Sequence, residues 1–340
     1  TFCSNADKNP TLTIMALAPS RTGLPGSTGI LVRQSGDVLD SSLTPGATVE
    51  VNGPSGVLNF VADRLDGSGI ATLDLGPSTA TGNYGAGAGV PIGFAGDVDI
   101  DVSRAFTADA TAFIALPAGS TSLASGAHGY AKGNGTVHIR APYVSITGSG
   151  DIAARAGDGN LVVDADFIDI GGNVDLQQWA SAAFNADSDI RFNDSRPSAN
   201  GVIPTGLLFT TGDLTFKAAQ LYSATDYRFV IDANASGIAD ANGNARETII
   251  TILPNGSSDA PLSAGGALLV SADHIEQEGS IKVPAGTLVL GVKDPAADAA
   301  AFGLDLSKFP LAATKSVHLA DGSLTSVSLD GATVPFGTTV

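Results

Sequence analysis

Cysteine is nearly missing from this chain: Cys3 is the only one in 340 residues. That excludes an intrachain disulfide and any multi-cysteine metal site. Basic residues are scarce, with 17 Lys and Arg against 34 Asp and Glu, a formal net charge of −17. Nucleic acid and anionic membrane surfaces are poor partner candidates because of like-charge repulsion, which leaves cations, cationic surfaces and neutral polymers. Aromatics make up only 6% of the residues. No run of about 18 apolar residues occurs, so no transmembrane helix and no membrane insertion are expected. Residues 1–10 (TFCSNADKNP) have neither a basic nor an apolar region and do not form a signal peptide. With no initial Met and a strand-like PFGTTV at the other end, the sequence reads as a piece of a longer chain.

Catalytic signatures are equally sparse. His128, His138, His274 and His318 are scattered, without the spacing of paired metal ligands. There is no G-x-S-x-G elbow, and the Gly-rich run around Ala86 and Gly87 lacks the strand-to-helix context of a phosphate loop. The chain is not expected to be an enzyme.

What the sequence has in quantity is glycine, 42 residues, and a pattern built on it. From Gly135, apolar residues follow at +2 and +4 (Val137, Ile139), an alanine at +6 (Ala141) and an aliphatic residue at +9 (Val144). The same spacing starts at Gly159 with Leu161, Val163, Ala165 and Ile168. Further copies begin at Gly56, Gly212 and Gly266. Offsets of equal parity point to one face of a strand, and the odd step from +6 to +9 requires a corner. A later apolar pair at +15 and +17, as in Val174 and Leu176, supplies a third strand.

Three short strands and two corners, recurring after 24 residues from Gly135 to Gly159, describe one coil of a solenoid. The expected fold is all-β, a right-handed three-sided parallel β-helix with loop insertions, formed as a single domain over residues 1–340. About ten coils would make a rod on the order of 50 Å long. The clearest coils fall within 56–75, 135–176, 212–231 and 266–292. The inward residues of the 135–176 pair, which include Ile152, should stack in register. Insertions are expected at about 77–90, 117–134, 181–205 and 232–261, which are rich in Gly, Ser, Ala and Asn. DPAADAAA at 294–301 is the one short helix expected, and strand resumes over 316–340.

Repeats such as GNLVVDADFIDIGGNVDL and GDLTFKAAQLYSATDY, followed by APLSAGGALLVSADHIEQEGSIKVPAGTLVL, resemble filamentous-haemagglutinin-type exoproteins of Gram-negative bacteria. The likeness covers 130–340 best. It implies a secreted, surface-associated β-helical adhesin of the two-partner-secretion kind, carried across the outer membrane by a β-barrel transporter. Roles in adhesion, biofilm or a surface filament follow from the resemblance. So do partnerships with host or cell-surface glycan or protein, and self-association or continuation of the same rod.

Four further features have both a chemical and a plain structural reading. Asp232, Asn234, Ser236 and Asp240 place oxygen side chains at positions 1, 3, 5 and 9 of a calcium-type loop with Gly237 at position 6, but Gly243 stands where the bidentate Glu belongs. The alternatives are calcium binding or a polar turn. Asp97, Asp99 and Asp101, then Asp164, Asp166 and Asp169, alternate outward with Arg104 and Arg140 in sequence reach. They suit either a β-helical polysaccharide lyase or hydrolase or a solvated face. An enzyme should show an outward groove with clustered Asp and a Lys or Arg. Trp179, Phe184, Tyr84 and Phe94 either stack on sugars or cover the rod. Asn134, Asn193, Asn234 and Asn255 head glycosylation sequons that also arise by chance.

Overall fold

The computed structural model describes residues 10–14, 29–35, 57–76, 90–123, 131–149, 152–193, 205–239, 242–257, 259–302, 304 and 311–331. The fold is all-β, built from parallel strands in curled sheets, and every pairing between named strands is parallel.

The pairings run along three ladders. The first comprises Val98–Asp101, Thr136–Arg140, Gly159–Ala165, Trp179–Ala186, Asp213–Ala218, Ile249–Pro254, His274–Gln277 and Ser316–Leu319. The second runs from Thr11–Ile14 through Thr72–Leu75, Ala105–Ala110 and Tyr143–Ser149 into the first half of Phe167–Gln177. It continues through Asp189–Asn193, Gln220–Ser223, Ser280–Lys282 and Leu324–Ser326. The third runs from Val57–Val61 through Gly29–Arg33, Ile92–Ala95 and Phe113–Leu116 into the second half of Phe167–Gln177. Thr205–Thr210, Arg228–Ala233, Ala267–Ser271 and Thr287–Leu290 complete it. Phe167–Gln177 turns from the second ladder into the third at Gly172, whose φ of 62° suits a residue without a Cβ. Among the described residues the first ladder holds eight strands, a stack on the order of 35 Å at about 4.8 Å per rung.

Register turns the sequence pattern into columns. In the first ladder Val98, Val137, Leu161, Ala182, Leu214, Ile250 and Ile275 lie in line. Val144 pairs with Ile168 and Ile146 with Ile170 in the second ladder. These residues belong to one continuous core, where burial of apolar area supplies the main favourable free energy. Part of it is aromatic: Phe184 stacks on Phe216 at 5.5 Å between ring centroids, and Phe192 stacks on Phe229 at 4.7 Å.

The third ladder is covered on its outer side as well. The helix Pro295–Phe302, with Asp294 Oδ1 accepting from the backbone N–H groups of Ala296 and Ala297 at its start, belongs to a cluster formed over Leu207, Phe209, Val230 and Leu269. A second cluster gathers Leu31, Ile114, Leu116 and Leu123. Strands buried on both faces read as unbroken apolar runs, as GILV, FIAL and ALLV do here.

Four details differ from the sequence expectation. The five glycine-led copies do not share one phase: Gly135, Gly159 and Gly212 open first-ladder strands, whereas the Gly56 and Gly266 copies open third-ladder strands. The motif marks a strand–corner–strand turn wherever one occurs. Ile152 lies in a non-strand segment and packs against the outer cluster, outside the columns. The 181–205 stretch, expected to leave the rod, contains most of Trp179–Ala186 and all of Asp189–Asn193. The 232–261 stretch likewise contains Ile249–Pro254. Outward positions of a stacked strand take small polar residues as readily as loops do, so composition did not separate the two. The 77–90 insertion falls, but for its last residue, outside the described residues.

Candidate functional site

Outward positions of the first ladder form polar rows across successive rungs. One row is Asp101, Arg140, Asp164, Asn185 and Lys217, in register from strand to strand. Arg140 donates to Asp99 Oδ1 at 2.6 Å and to Asp101 Oδ2 at 3.2 Å. Hydrogen bonding to Asp99 is the main reason its guanidinium is held above its ordinary pKa. Arg140 Nη1 also lies 2.6 Å from His138 Nδ1. Arginine only donates, so Nδ1 accepts and the Nε2–H faces Asp164. Asp164 Oδ1 accepts from Asn185 at 2.8 Å. Burial pushes the Asp164 carboxyl up, but the His138 and Asn185 hydrogen bonds leave it below the usual range.

At the corner that ends these strands lies a groove of about 540 Å³, lined by Asp101, Arg140, Asp164, Asp166, Asp187 and Lys217 among others. Asp166 and Asp187 are exposed, and Lys217 is exposed and forms no ion pair among the described residues. Clustered carboxylates with cations within reach, the feature expected of an enzyme, are therefore present.

Beyond the corner, on the second ladder, Asp169 is a structural hub. It is 3% exposed and accepts from Arg191 Nε and Nη2 at 2.7 and 2.9 Å, from Tyr143 Oη at 2.7 Å and from Asn193 at 3.0 Å. Tyr143 stacks on Phe167, with centroids 6.4 Å apart and planes at 22°, and the Arg191 guanidinium lies over Phe167 at 5.4 Å. Burial and then the Asp169 charge push the Tyr143 hydroxyl up to about 12. The sequence singled out Asp169 as one of an outward acidic cluster and Asn193 as a sequon, but not their meeting with Tyr143 and Arg191, because these residues come from rungs more than 20 residues apart and meet only once the register is known.

A second polar cluster joins Glu247, His274, Lys315 and Asp273. Glu247 accepts from Lys315 at 2.6 Å and faces His274 at 2.9 Å, and the Lys315 hydrogen bond chiefly pulls its carboxyl down to about 2.

Three of the four calcium-loop residues lie among the described residues. Asp232 is fully buried on the outer side of the third ladder. Asn234 Oδ1 accepts from the Ser236 backbone N–H at 2.9 Å, an Asx turn, and Ser236 is exposed. Asp240 lies outside the described residues. No group of three or more His, Cys, Asp or Glu is arranged to hold a metal among the described residues. Trp179, Phe184 and Phe94 are core residues at 0%, 0% and 2% exposure, and the Trp179 Nε1–H donates to the Phe113 carbonyl at 2.9 Å; Tyr84 lies outside the described residues. Asn193 and Asn255 donate to Asp169 and to the Ala186 carbonyl, and Asn234 is buried. No helix among the described residues is long and apolar enough to cross a membrane.

Comparison with protein-family models, with curated proteins and with solved structures found no match.

Proposed function

We propose that this chain is a structural, adhesive β-solenoid: a right-handed three-sided parallel β-helix whose sides are the three ladders. On this reading it is secreted, held at a bacterial surface and exported through an outer-membrane transporter, and it contributes to adhesion, biofilm or a surface filament. It performs no chemistry of its own. The observation that carries the reading is the register. Apolar columns run through the core from rung to rung, and the most regular stretch, 135–176, is devoted to them. A stacked, quasi-one-dimensional architecture of this kind provides length and surface. The test is the shape of the purified protein, by small-angle scattering and electron microscopy. The reading expects an elongated particle of constant cross-section and fails if the particle is isometric.

A second reading, a β-helical polysaccharide lyase or hydrolase, is favoured by the groove with Asp101, Asp164, Asp187, Arg140 and Lys217. Against it, Arg140 is engaged by two carboxylates and cannot readily serve as a base. Release of unsaturated oligosaccharides from pectin- or alginate-like polymers would replace the scaffold reading with this one. Under the scaffold reading, adding calcium leaves the melting temperature unchanged; a rise would point to a calcium-dependent binding module instead.

A further inference from the structure

At the end of the first ladder three outward side chains form a relay that the core does not require. His274 pairs in register with Ser316 on the last rung. On its other side it pairs with Ile249, and Glu247 lies two residues before that isoleucine. His274 Nδ1 is 2.8 Å from Ser316 Oγ, and its Nε2 is 2.9 Å from Glu247 Oε2. Glu247 is ionised at neutral pH, since the Lys315 hydrogen bond chiefly pulls its carboxyl down to about 2. An ionised carboxylate only accepts, so Nε2–H donates to Glu247 and Nδ1 is left to accept from the Ser316 hydroxyl. A hydroxyl, a base within hydrogen-bond reach and a third group that fixes the tautomer of the base make up an activated nucleophile. Ser316 is exposed, so an electrophile can reach it.

Two further observations point to the kind of electrophile. Ile249 is apolar and 40% exposed, in a ladder whose outward positions are mostly polar. Beside His274, it offers contact to a short hydrocarbon chain. The second observation concerns the backbone. The N–H groups of Ser316 and Ala320 donate to the Asp273 and Gln277 carbonyls of the neighbouring rung. N–H groups alternate between the two sides of a parallel strand, so the Val317 N–H points to the side where no strand pairs among the described residues. There it can donate to the oxygen of a carbonyl under attack, from the residue that follows the nucleophile.

We propose that Ser316 is a covalent acylation site, at which the chain takes a short acyl group from an activated ester such as an aryl ester or a thioester. The Ser316 oxygen bonds the acyl carbon as its proton passes to His274 Nδ1. The bond from that carbon to the leaving oxygen or sulfur then breaks, and the leaving atom takes the proton from His274. The product is an alkyl ester of serine, a poorer acyl donor than the ester it came from. With one backbone donor beside it among the described residues, it hydrolyses slowly and the adduct persists. The step modifies the scaffold and turns over no substrate, so it goes beyond the adhesive reading without displacing it.

The test is incubation of the whole chain, in dilute solution, with p-nitrophenyl acetate and p-nitrophenyl butyrate. Released nitrophenolate and the acylated residues, located by mass spectrometry, are the readouts. One equivalent should be released per chain, with Ser316 acylated about a hundred-fold faster than the exposed Ser236 and Ser257. Butyrate should label faster than acetate, and Ile249→Ser should remove that difference. His274→Ala should slow labelling of Ser316 by about ten-fold or more. Imidazole added to this variant should restore part of the rate, which loss of a merely structural contact would not allow. Glu247→Gln should slow labelling less, and Glu247→Asp should recover part of the loss. The proposal is overturned if Ser316 labels no faster than Ser236 and Ser257, or if His274→Ala labels as wild type does. Release of many equivalents would also overturn it, by making the site a hydrolase. An elongated particle with an unlabelled Ser316 loses the acylation site alone; an isometric particle with a labelled Ser316 loses the adhesive reading alone.

Discussion

Asp175 and Asp232 both lie on the outer side of the third ladder, and both are 0% exposed. Burial pushes each carboxyl up to about 7. Asp175 retains a hydrogen bond from Gln177 at 2.7 Å and one from the Ala153 N–H at 3.0 Å. Asp232 lies beside Ser271 and Asn234, which hold it down somewhat, yet neither of its carboxylate oxygens has a partner in hydrogen-bonding geometry. A carboxyl whose folded pKa exceeds its unfolded value of 3.8 binds protons more tightly in the folded state. Its cost is absent below the unfolded pKa, grows as pH rises, and is fully present above about 7. At pH 8 it amounts to on the order of 4 kcal/mol per group at most. Asp175→Asn and Asp232→Asn should therefore raise the urea midpoint at pH 8, and the gain should shrink toward zero near pH 4. An equal gain at both pH values would show that the carboxylates are not the cause. In the core, Phe216 contacts both Phe184 and Phe192. Phe216→Ala should cost about 3–5 kcal/mol, measured as a loss of unfolding free energy in urea.

At the scale of the element, the glycines that open the copies at Gly135 and Gly212 have a steric reason. A Cβ added at Gly135 would collide with the backbone of Gly96 on the preceding rung, and one at Gly212 with the carbonyl oxygens of Trp179 and Ala180. Gly135→Ala should cost about 1–3 kcal/mol, because backbone and not a flexible side chain must give way; chemical denaturation checks it. The apolar alternation and the alanine of the corner were legible in the sequence for the same reason: each follows from parity and available volume within a few residues. Which ladder a copy opened was not legible, since the corners after first- and third-ladder strands make the same local demand. Ile152 looked like a column residue by its offset, but the segment around it leaves strand conformation and covers the buried Asp175, with the Ala153 N–H as its contact. The Asp169 hub depends on pairs such as Asp169 with Arg191. Those pairs exist only between rungs, so local sequence could indicate polar outward positions without showing which would meet.

At the scale of the whole molecule the first ladder has two unlike ends. Val98 and Ile100, on its outermost strand at one end, are 2% and 0% exposed. The turn Ala62–Arg64 packs against that strand, and Gln34 bonds both Asp63 and the backbone N–H of Asp99 at 2.6 Å. That edge is capped. At the other end, Val317 continues the column of Ile275 and Leu319 that of Gln277, yet they are 41% and 55% exposed. Ser316–Leu319 and Leu324–Ser326 each pair on one side only among the described residues. An open parallel edge with apolar column residues is a template for another strand, and a further rung from a second copy would restore both the ladder bonds and the column. The purified chain should accordingly associate as its concentration rises, seen by light scattering and sedimentation. Val317→Lys with Leu319→Lys should keep it monomeric and leave its melting temperature nearly unchanged, because those side chains are already half exposed. If wild type and variant are both monomeric at the highest concentration reached, this edge does not join copies. If both associate equally, another surface carries the association.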